Sequence, residues 1–381
     1  MDTQSINTEN KSAFRKQQPV WLAALAVTAL LSGGVGGGIG ASVVAAQNPG
    51  TSQTTTTENQ TNISTASLSN LSEIIKSKTP SVVTISVVDK QGSGTGSGVV
   101  VDNDGHIVTN AHVATLGGLT SEGKITIQTS TGETADATLV GVDATSDLAV
   151  LKTDLKGLKP IKFTSSADVS VGDETIAIGS PLGLNSTVTT GIVSALNRPI
   201  TVQSSEVNDK FSNGQGTVAL NVIQTDAAIN SGNSGGALLN SNGDLIGINV
   251  AIASAGEGSG NIGVGFAIPS DLVQQVIKDL IDNGARTHGY LGVSVADNYA
   301  SENSTFITGA IITSIEAGSP AAEIGLEEGD IVTAVNGSPV ESATQFVASI
   351  KQNQPGSEIK LSIERDGNER EISTTLTTQG A

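Results

Sequence analysis

From residue 81 to about residue 268 the chain alternates short apolar runs with polar, turn-forming segments. The runs include "SVVTISVV", "GVVVDNDGHIVTN", "KITIQT", "ATLVGVD", "LAVLK", "ETIAIGS", "TVTTGIVSAL", "VALNVIQTD" and "DLIGINVAIA". Stretches this short, rich in Val, Ile and Thr, suit extended strands, and no helical period separates them. Between "VVV" and "HIVT", "DNDG" supplies the residues of a hairpin turn. So many short strands predict antiparallel barrels or a sandwich.

The pattern changes at "PSDLVQQVIKDLIDNG", where Leu272, Val276 and Leu280 share one helical face. Pro269 and Ser270 open this helix and Gly284 ends it. A smaller α+β unit follows, with strand-like "GAIITSI", "DIVTAV", "EIKLSIER" and "EISTTL" and helices near 320–324 and 342–352. In "SPAAEIGLEEGD", Ser319 caps a turn, Pro320 is its first helical residue and Gly325 ends it. Ahead of the strands, "NLSEIIKSKTP" predicts a short helix capped by Asn70, with Glu73 three residues on and Pro80 as its stop.

The first residues read differently. Residues 1–19 are polar and carry Lys11, Arg15 and Lys16, whereas residues 20–46 carry no charge. At ~1.5 Å per residue, that stretch is long enough to cross a ~30 Å hydrocarbon layer as a transmembrane helix. Basic residues before it and none just after place residues 1–19 in the cytoplasm and the rest outside. A signal peptide cleaved near "VAAQ" is the rival reading. Residues 47–67, rich in Thr, Ser, Asn and Gln, form a disordered tether. The predicted organisation is therefore 1–19, an anchor at 20–46, the tether at 47–67, a strand-rich domain at 68–275, a helical linker at 276–288 and a second domain at 289–378.

Composition narrows the chemistry. A net charge of −18 argues against a nucleic-acid partner, which needs clustered Lys and Arg. With no cysteine, disulfides and thiolate nucleophiles are excluded. The histidines are His106, His112 and His288.

One stretch poses a question: "INSGNSGGALLN" sets Ser234 among glycines, which by themselves signal a turn. A serine hydroxyl attacks a carbonyl only if a base takes its proton and donors hold the oxyanion. Glycines allow the N–H groups of Gly232 and Ser234 to point into one hole, and Gly235 and Gly236 are expected to keep space open for substrate. As bases, His106 follows a turn and is expected to be solvated, whereas His112 ends a strand at a barrel rim. Asp147 directly precedes an apolar strand, while Asp143 lies in the turn before it. His288 falls at a domain junction and receives no role. The order His112, Asp147, Ser234 matches the triad order of double β-barrel serine proteases.

Together "TNAHV", "SDLAVLK" and "SGNSGG", followed by "GYLGV" and "GLEEGDIVTAVNG", resemble the HtrA family of trypsin-like proteases carrying PDZ domains, over residues 68–376. Ala237 departs from the proline more usual after the glycine pair. The resemblance implies a mainly β fold: a double six-stranded antiparallel β-barrel, then a small α+β PDZ domain. It also implies Ser234 as nucleophile, His112 as general base and acid, Asp147 as its orienting partner, and Gly232, Asn233 and Ser234 around the oxyanion hole.

With Ala228 six positions before Ser234, where relatives cutting after Lys or Arg keep an acid, cleavage after small or medium apolar residues is expected. Asn233 cannot pair with a freed N-terminus, so loops around 180–190, 203–216 and 253–263 are expected to control activity. Tyr290, Leu291, Gly292 and Val293 match a PDZ carboxylate-binding loop, with groove side chains sought among Phe346, Val347 and Ile350. The family likeness further implies a homotrimer, an envelope location and unfolded polypeptides as substrates, with no cofactor or metal. A chaperone-like binder of misfolded chains is the alternative.

Overall fold

A computed structural model of the chain describes residues 65–180, 187–206, 216–230, 232–250, 263–301 and 304–379. The candidate membrane span at 20–46 lies outside these residues, as does the tether to residue 64. No described helix is long and apolar enough to cross a membrane. Of the expected control loops, residues 181–186, 207–215 and 253–262 also lie outside.

The described chain opens with helix α1 (Thr65–Lys78) and a 3₁₀ turn at Thr79–Ser81 that contains Pro80. The helix begins before Asn70, so that residue lies inside it and does not cap it. Leu71, Ile74 and Ile75 pack on the protein core, and this burial outweighs the local capping signal.

Six strands then close the first barrel: β1 (Val82–Asp89), β2 (Gly92–Val100), β3 (His106–Thr109), β4 (Lys124–Gln128), β5 (Thr134–Asp143) and β6 (Leu148–Thr153). The turn between β2 and β3 forms as "DNDG" predicts. Asp102 Oδ1 accepts from the N–H groups of Asp104, Gly105 and His106. His106 is not solvated as expected: its Nδ1 lies 2.6 Å from Asp102 Oδ2.

A second closed barrel contains β7 (Glu174–Gly179), β8 (Thr187–Gln203), β9 (Thr217–Thr225), β10 (Ala237–Asn240), β11 (Leu245–Val250) and β12 (Gly265–Pro269). The two barrels share a core. Val99, Val108, Leu148 and Val150 of the first meet Ile176, Ile178, Leu239 and Ile248 of the second. Helix α2 (Ala111–Ala114), between β3 and β4, carries His112.

Helix α3 (Ser270–Asn283) lays Leu272, Val273, Val276, Ile277 and Leu280 into the shared core. The linker expected to start at 276 is therefore, through Leu280, part of the barrel unit. Gly284, at φ 75°, closes the helix with its N–H on the Leu280 carbonyl, as the Gly-late signal predicts.

The remaining sheet contains β13 (Val293–Tyr299), β14 (Ile307–Ile315), β15 (Ile331–Val335), β17 (Glu358–Arg365) and β18 (Asn368–Thr375) in that order, with β16 (Ser338–Pro339) beside β15. β13 is an edge strand. Helix α4 (Pro320–Glu323) is capped by Ser319 Oγ accepting from Ala322 N–H. Helix α5 (Ala343–Lys351) buries Phe346 and Ile350 in this domain's own core, so only Val347 of the three expected groove residues stays half-exposed. Gln345 and Ser349, on another face of the helix, dock on the second barrel: Gln345 Nε2 donates to the Asn197 carbonyl and Asn221 Nδ2 to Ser349 Oγ.

Candidate active site

Asp147 organises the site. At φ 52° its backbone is left-handed, a conformation that costs a non-glycine residue on the order of 1 kcal/mol and must be held by its surroundings. The Asp147 carbonyl accepts from Ala111 N–H and Asn110 Nδ2, both at 3.1 Å. Its carboxylate Oδ1 accepts from His112 N–H at 3.0 Å and from Ser205 Oγ at 3.4 Å. Oδ2 lies 2.8 Å from His112 Nδ1. A carboxylate can only accept, so Nδ1 carries the proton and Nε2 presents a lone pair. Asp147 is 1% exposed, whereas the His112 side chain keeps 31% exposure.

The His112 pKa follows from these contacts. Burial of the ring opposes its charged form, but the charge of Asp147 and its hydrogen bond together prevail and raise the pKa above the ordinary histidine value.

The loop bearing Ser234 meets this helix across β2. A Cβ on Gly96 would lie 2.6 Å from Val113, the residue after His112, and 3.3 Å from the Ser234 carbonyl. That carbonyl accepts from Ser97 N–H at 2.8 Å. The hydroxyl-bearing residue and the imidazole helix, far apart in sequence, therefore pack against one glycine.

Gly232 (φ 98°) and Gly235 (φ 78°) take backbone conformations that favour glycine, as the loop reading predicts. The expected purpose of the glycine pair is corrected. A Cβ on Gly235 would stand 2.2 Å from the Ser97 carbonyl oxygen and 2.3 Å from Thr109 Oγ1, and one on Gly236 2.3 Å from the Ile178 carbonyl oxygen. The pair lets the loop press against three strands and does not hold space for a ligand. Asn233 N–H donates to the Asn230 carbonyl at 2.9 Å, so of the three residues expected around the oxyanion hole it is engaged within the loop.

At the edge of the second sheet, Tyr290 N–H donates to the Thr377 carbonyl at 2.8 Å, so it is unavailable to an incoming carboxylate. Among the described residues, no hydrogen bond takes the N–H of Leu291 or Gly292, and Val293 starts an edge strand. Gly292, at φ 82°, lies where a Cβ would be 2.1 Å from Ser319 Cβ, so only glycine fits.

Two family models match in the same order as these parts: a trypsin-like peptidase domain over residues 96–248 and a PDZ domain over residues 289–376. A solved structure of the HtrA-type protease AlgW with a tripeptide superposes with a TM-score of 0.60 at 32% identity, over 81% of this chain and 97% of that one. The chain belongs to the HtrA family.

HtrA relatives with curated names include the serine protease PepD of Mycobacterium tuberculosis, 42% identical over 78% of this chain. Another is the periplasmic pH-dependent serine endoprotease DegQ of Escherichia coli, 40% identical over 75% of it. The chain spans 64% and 60% of those two proteins' lengths.

Within the HtrA fold two polar residues at the site escaped the sequence reading. Ser205, 1% exposed, touches Asp147 Oδ1; as one of two adjacent serines in "VQSSE" it carries no local signal. Ser97 sits in the glycine-rich "GTGSGVV", which reads only as a strand lacking side chains.

Proposed function

We propose that the chain is a serine endopeptidase acting on unfolded polypeptides, with Ser234 as nucleophile and His112 and Asp147 as its activating pair. The observation that carries this reading is the five-fold grip on Asp147, which holds the His112 ring with Nδ1 protonated and Nε2 able to accept. In the first step His112 Nε2 takes the hydroxyl proton as Ser234 Oγ bonds to the scissile carbonyl carbon, and the carbonyl electron pair moves onto oxygen. The N–H groups of Gly232 and Ser234 accommodate that oxyanion. His112 then protonates the departing amine, leaving an acyl group on Ser234. Water repeats the sequence to release the acid.

The specificity reading is supported by Ala228, whose carbonyl accepts from Thr189 Oγ1 at 3.0 Å and Asn233 Nδ2 at 3.3 Å. The acid nearest in sequence, Asp226, accepts from Ile192 N–H on the barrel wall at 2.7 Å. Without a carboxylate at position 228, cleavage follows small or medium apolar residues such as Val, Ala or Ile. A peptide series in which Arg at that position is cut fastest refutes this.

The PDZ domain takes hydrophobic C-termini. Leu291 and Gly292 receive the carboxylate, and the peptide adds as a strand to β13. Asp297 Oδ1 accepts from Ala343 N–H at 2.7 Å, tying that edge strand to helix α5. The charge-free stretch at 20–46 supports an anchor with both domains outside the cytoplasm, and a homotrimer rests on the family likeness alone.

Replacing Ser234 with Ala tests the core reading. Cleavage of an unfolded protein such as casein is lost while its binding persists. If the variant still turns casein over, the nucleophile assignment fails; if the wild type binds but never cuts, the binder reading takes its place.

A further inference from the structure

Ser97 lies at the centre of β2, fully buried, with every polar atom engaged around the nucleophile loop. Its N–H donates to the Ser234 carbonyl at 2.8 Å, and its own carbonyl accepts from Thr109 Oγ1 at 2.7 Å. Its hydroxyl donates to the Gly232 carbonyl at 2.6 Å and accepts from Ser180 N–H at 2.8 Å. The direction of these last two bonds is unambiguous, because a carbonyl can only accept and a peptide N–H can only donate.

The target of the hydroxyl matters. The peptide joining Gly232 to Asn233 is held at both ends: its carbonyl by Ser97 Oγ and its N–H by the Asn230 carbonyl. The peptides on either side of it carry the N–H groups of Gly232 and Ser234, the two candidate oxyanion donors. Those peptides share Cα atoms with the central one, so a turn of the central peptide re-aims both donors. Gly232, at φ 98° and without a Cβ, resists such a turn little by itself. The restraint on this peptide from outside the loop comes through one buried hydroxyl.

We infer that Ser97 is a positioning residue for the oxyanion hole, holding the central peptide so that both flanking N–H groups stay aimed at the developing negative charge. It touches neither substrate nor His112 and acts through Gly232. This inference rests on the nucleophile assignment to Ser234. Loss of a directly aimed oxyanion donor costs about 10²–10³-fold in rate, and loss of the group that aims the donors falls at or below the lower end of that range.

The test uses the full chain with Ser97→Ala and Ser97→Cys, a fluorogenic peptide substrate and a peptide boronate as transition-state mimic. The account predicts kcat reduced about 10–100-fold in Ser97→Ala with KM within about 3-fold, and an intermediate value for Ser97→Cys, whose thiol is a weaker donor. Boronate affinity should fall by the same factor as kcat/KM, because both read the tetrahedral geometry. The acid limb of the pH profile should stay where the wild type has it, since His112 and Asp147 are untouched. The inference is overturned if kcat of Ser97→Ala stays within about 3-fold of wild type. It also falls if kcat drops while boronate affinity is unchanged, or if the acid limb moves with it. Should Ser97→Ala not fold, equal kcat in Ser97→Cys and the wild type overturns it alone. A wild type that a serine-directed phosphonate fails to label condemns the Ser234 reading instead, so the two failures are separable.

Discussion

His288 Nε2 lies 2.7 Å from Asp143 Oδ1, joining the start of the PDZ domain to the turn that delivers Asp147. Asp143 also accepts from Thr145 N–H and from Ser146 Oγ, so it shapes that turn from within. The other His288 nitrogen, Nδ1, lies 2.8 Å from the Lys351 carbonyl at the end of helix α5. One imidazole thus bridges a helix of the PDZ domain and the loop before Asp147. Replacing His288 with Ala should speed amide exchange in α5 by about 10-fold, the equivalent of one to two hydrogen bonds. Unchanged exchange there would mean that the bridge holds nothing.

In the proposed mechanism His112 sets the pH dependence. Burial lowers its pKa, yet the charge of Asp147 and the hydrogen bond to it outweigh burial, and the net shift is upward. Catalysis needs the neutral ring, so kcat/KM should rise through an apparent pKa above about 6.5. The stability contribution of the same group has the opposite sign. It is complete below the unfolded value and is lost as pH rises through the raised folded value. A profile already at its plateau below pH ~6 contradicts this. Asp147→Asn should lower kcat by about 10⁴-fold, because an amide donating to Nδ1 forces the wrong tautomer.

Gly235 and Gly157 share φ 78° but not surroundings. A Cβ on Gly157 meets nothing within 4 Å, whereas on Gly235 it would lie 2.2 Å from a backbone oxygen. Gly157→Ala should therefore cost only about 1 kcal/mol of backbone strain. Gly235→Ala should cost at least about 2 kcal/mol more and take activity with it, because the loop must shift off Ser97 and Thr109. Denaturant melts of both variants read the difference; equal costs would refute the contact.

In the PDZ domain, Arg365 grips Asp330 with Nε and Nη2, both at 2.6 Å, and donates from Nη2 to the Gly325 carbonyl at 2.9 Å. Burial raises the Asp330 pKa, but the Arg365 hydrogen bond and further contacts bring it below the usual carboxylate value. The pair therefore stabilises the fold above the unfolded carboxylate pKa and loses that contribution as pH falls through the folded one. Arg365→Ala leaves a carboxylate with no exposed side-chain surface unpaired and should cost about 3 kcal/mol, measured by denaturant melts at neutral pH. A loss under about 1 kcal/mol would class the pair with ordinary surface bridges.

The parts legible in the sequence are those with local signals. Short apolar runs between turn signals marked the barrel strands, and Pro269 and Gly284 marked both ends of α3. The three motif cores around His112, Asp147 and Ser234 are short and chemically distinctive. What escaped depends on distant partners. Ser97 and Ser205 differ from other buried serines only in what lies opposite them, across 135 residues for Ser97 with Gly232 and 58 for Ser205 with Asp147. His288 looked like a linker residue because Asp143, its partner, lies 145 positions away. Asn70 carried a genuine capping pattern, but packing of Leu71, Ile74 and Ile75 extends the helix past it. Phe346 and Ile350 looked suited to a groove, and the domain's small core claims both.

Whether Ser234 owes its reactivity to the His112–Asp147 pair is answered most directly by its rate of modification with a peptidyl phosphonate, the adduct located by mass spectrometry. The wild type should carry one adduct, on Ser234, and His112→Ala should react at least about 10³-fold more slowly. An adduct elsewhere, or undiminished labelling of Ser234 once His112 is gone, would contradict the account.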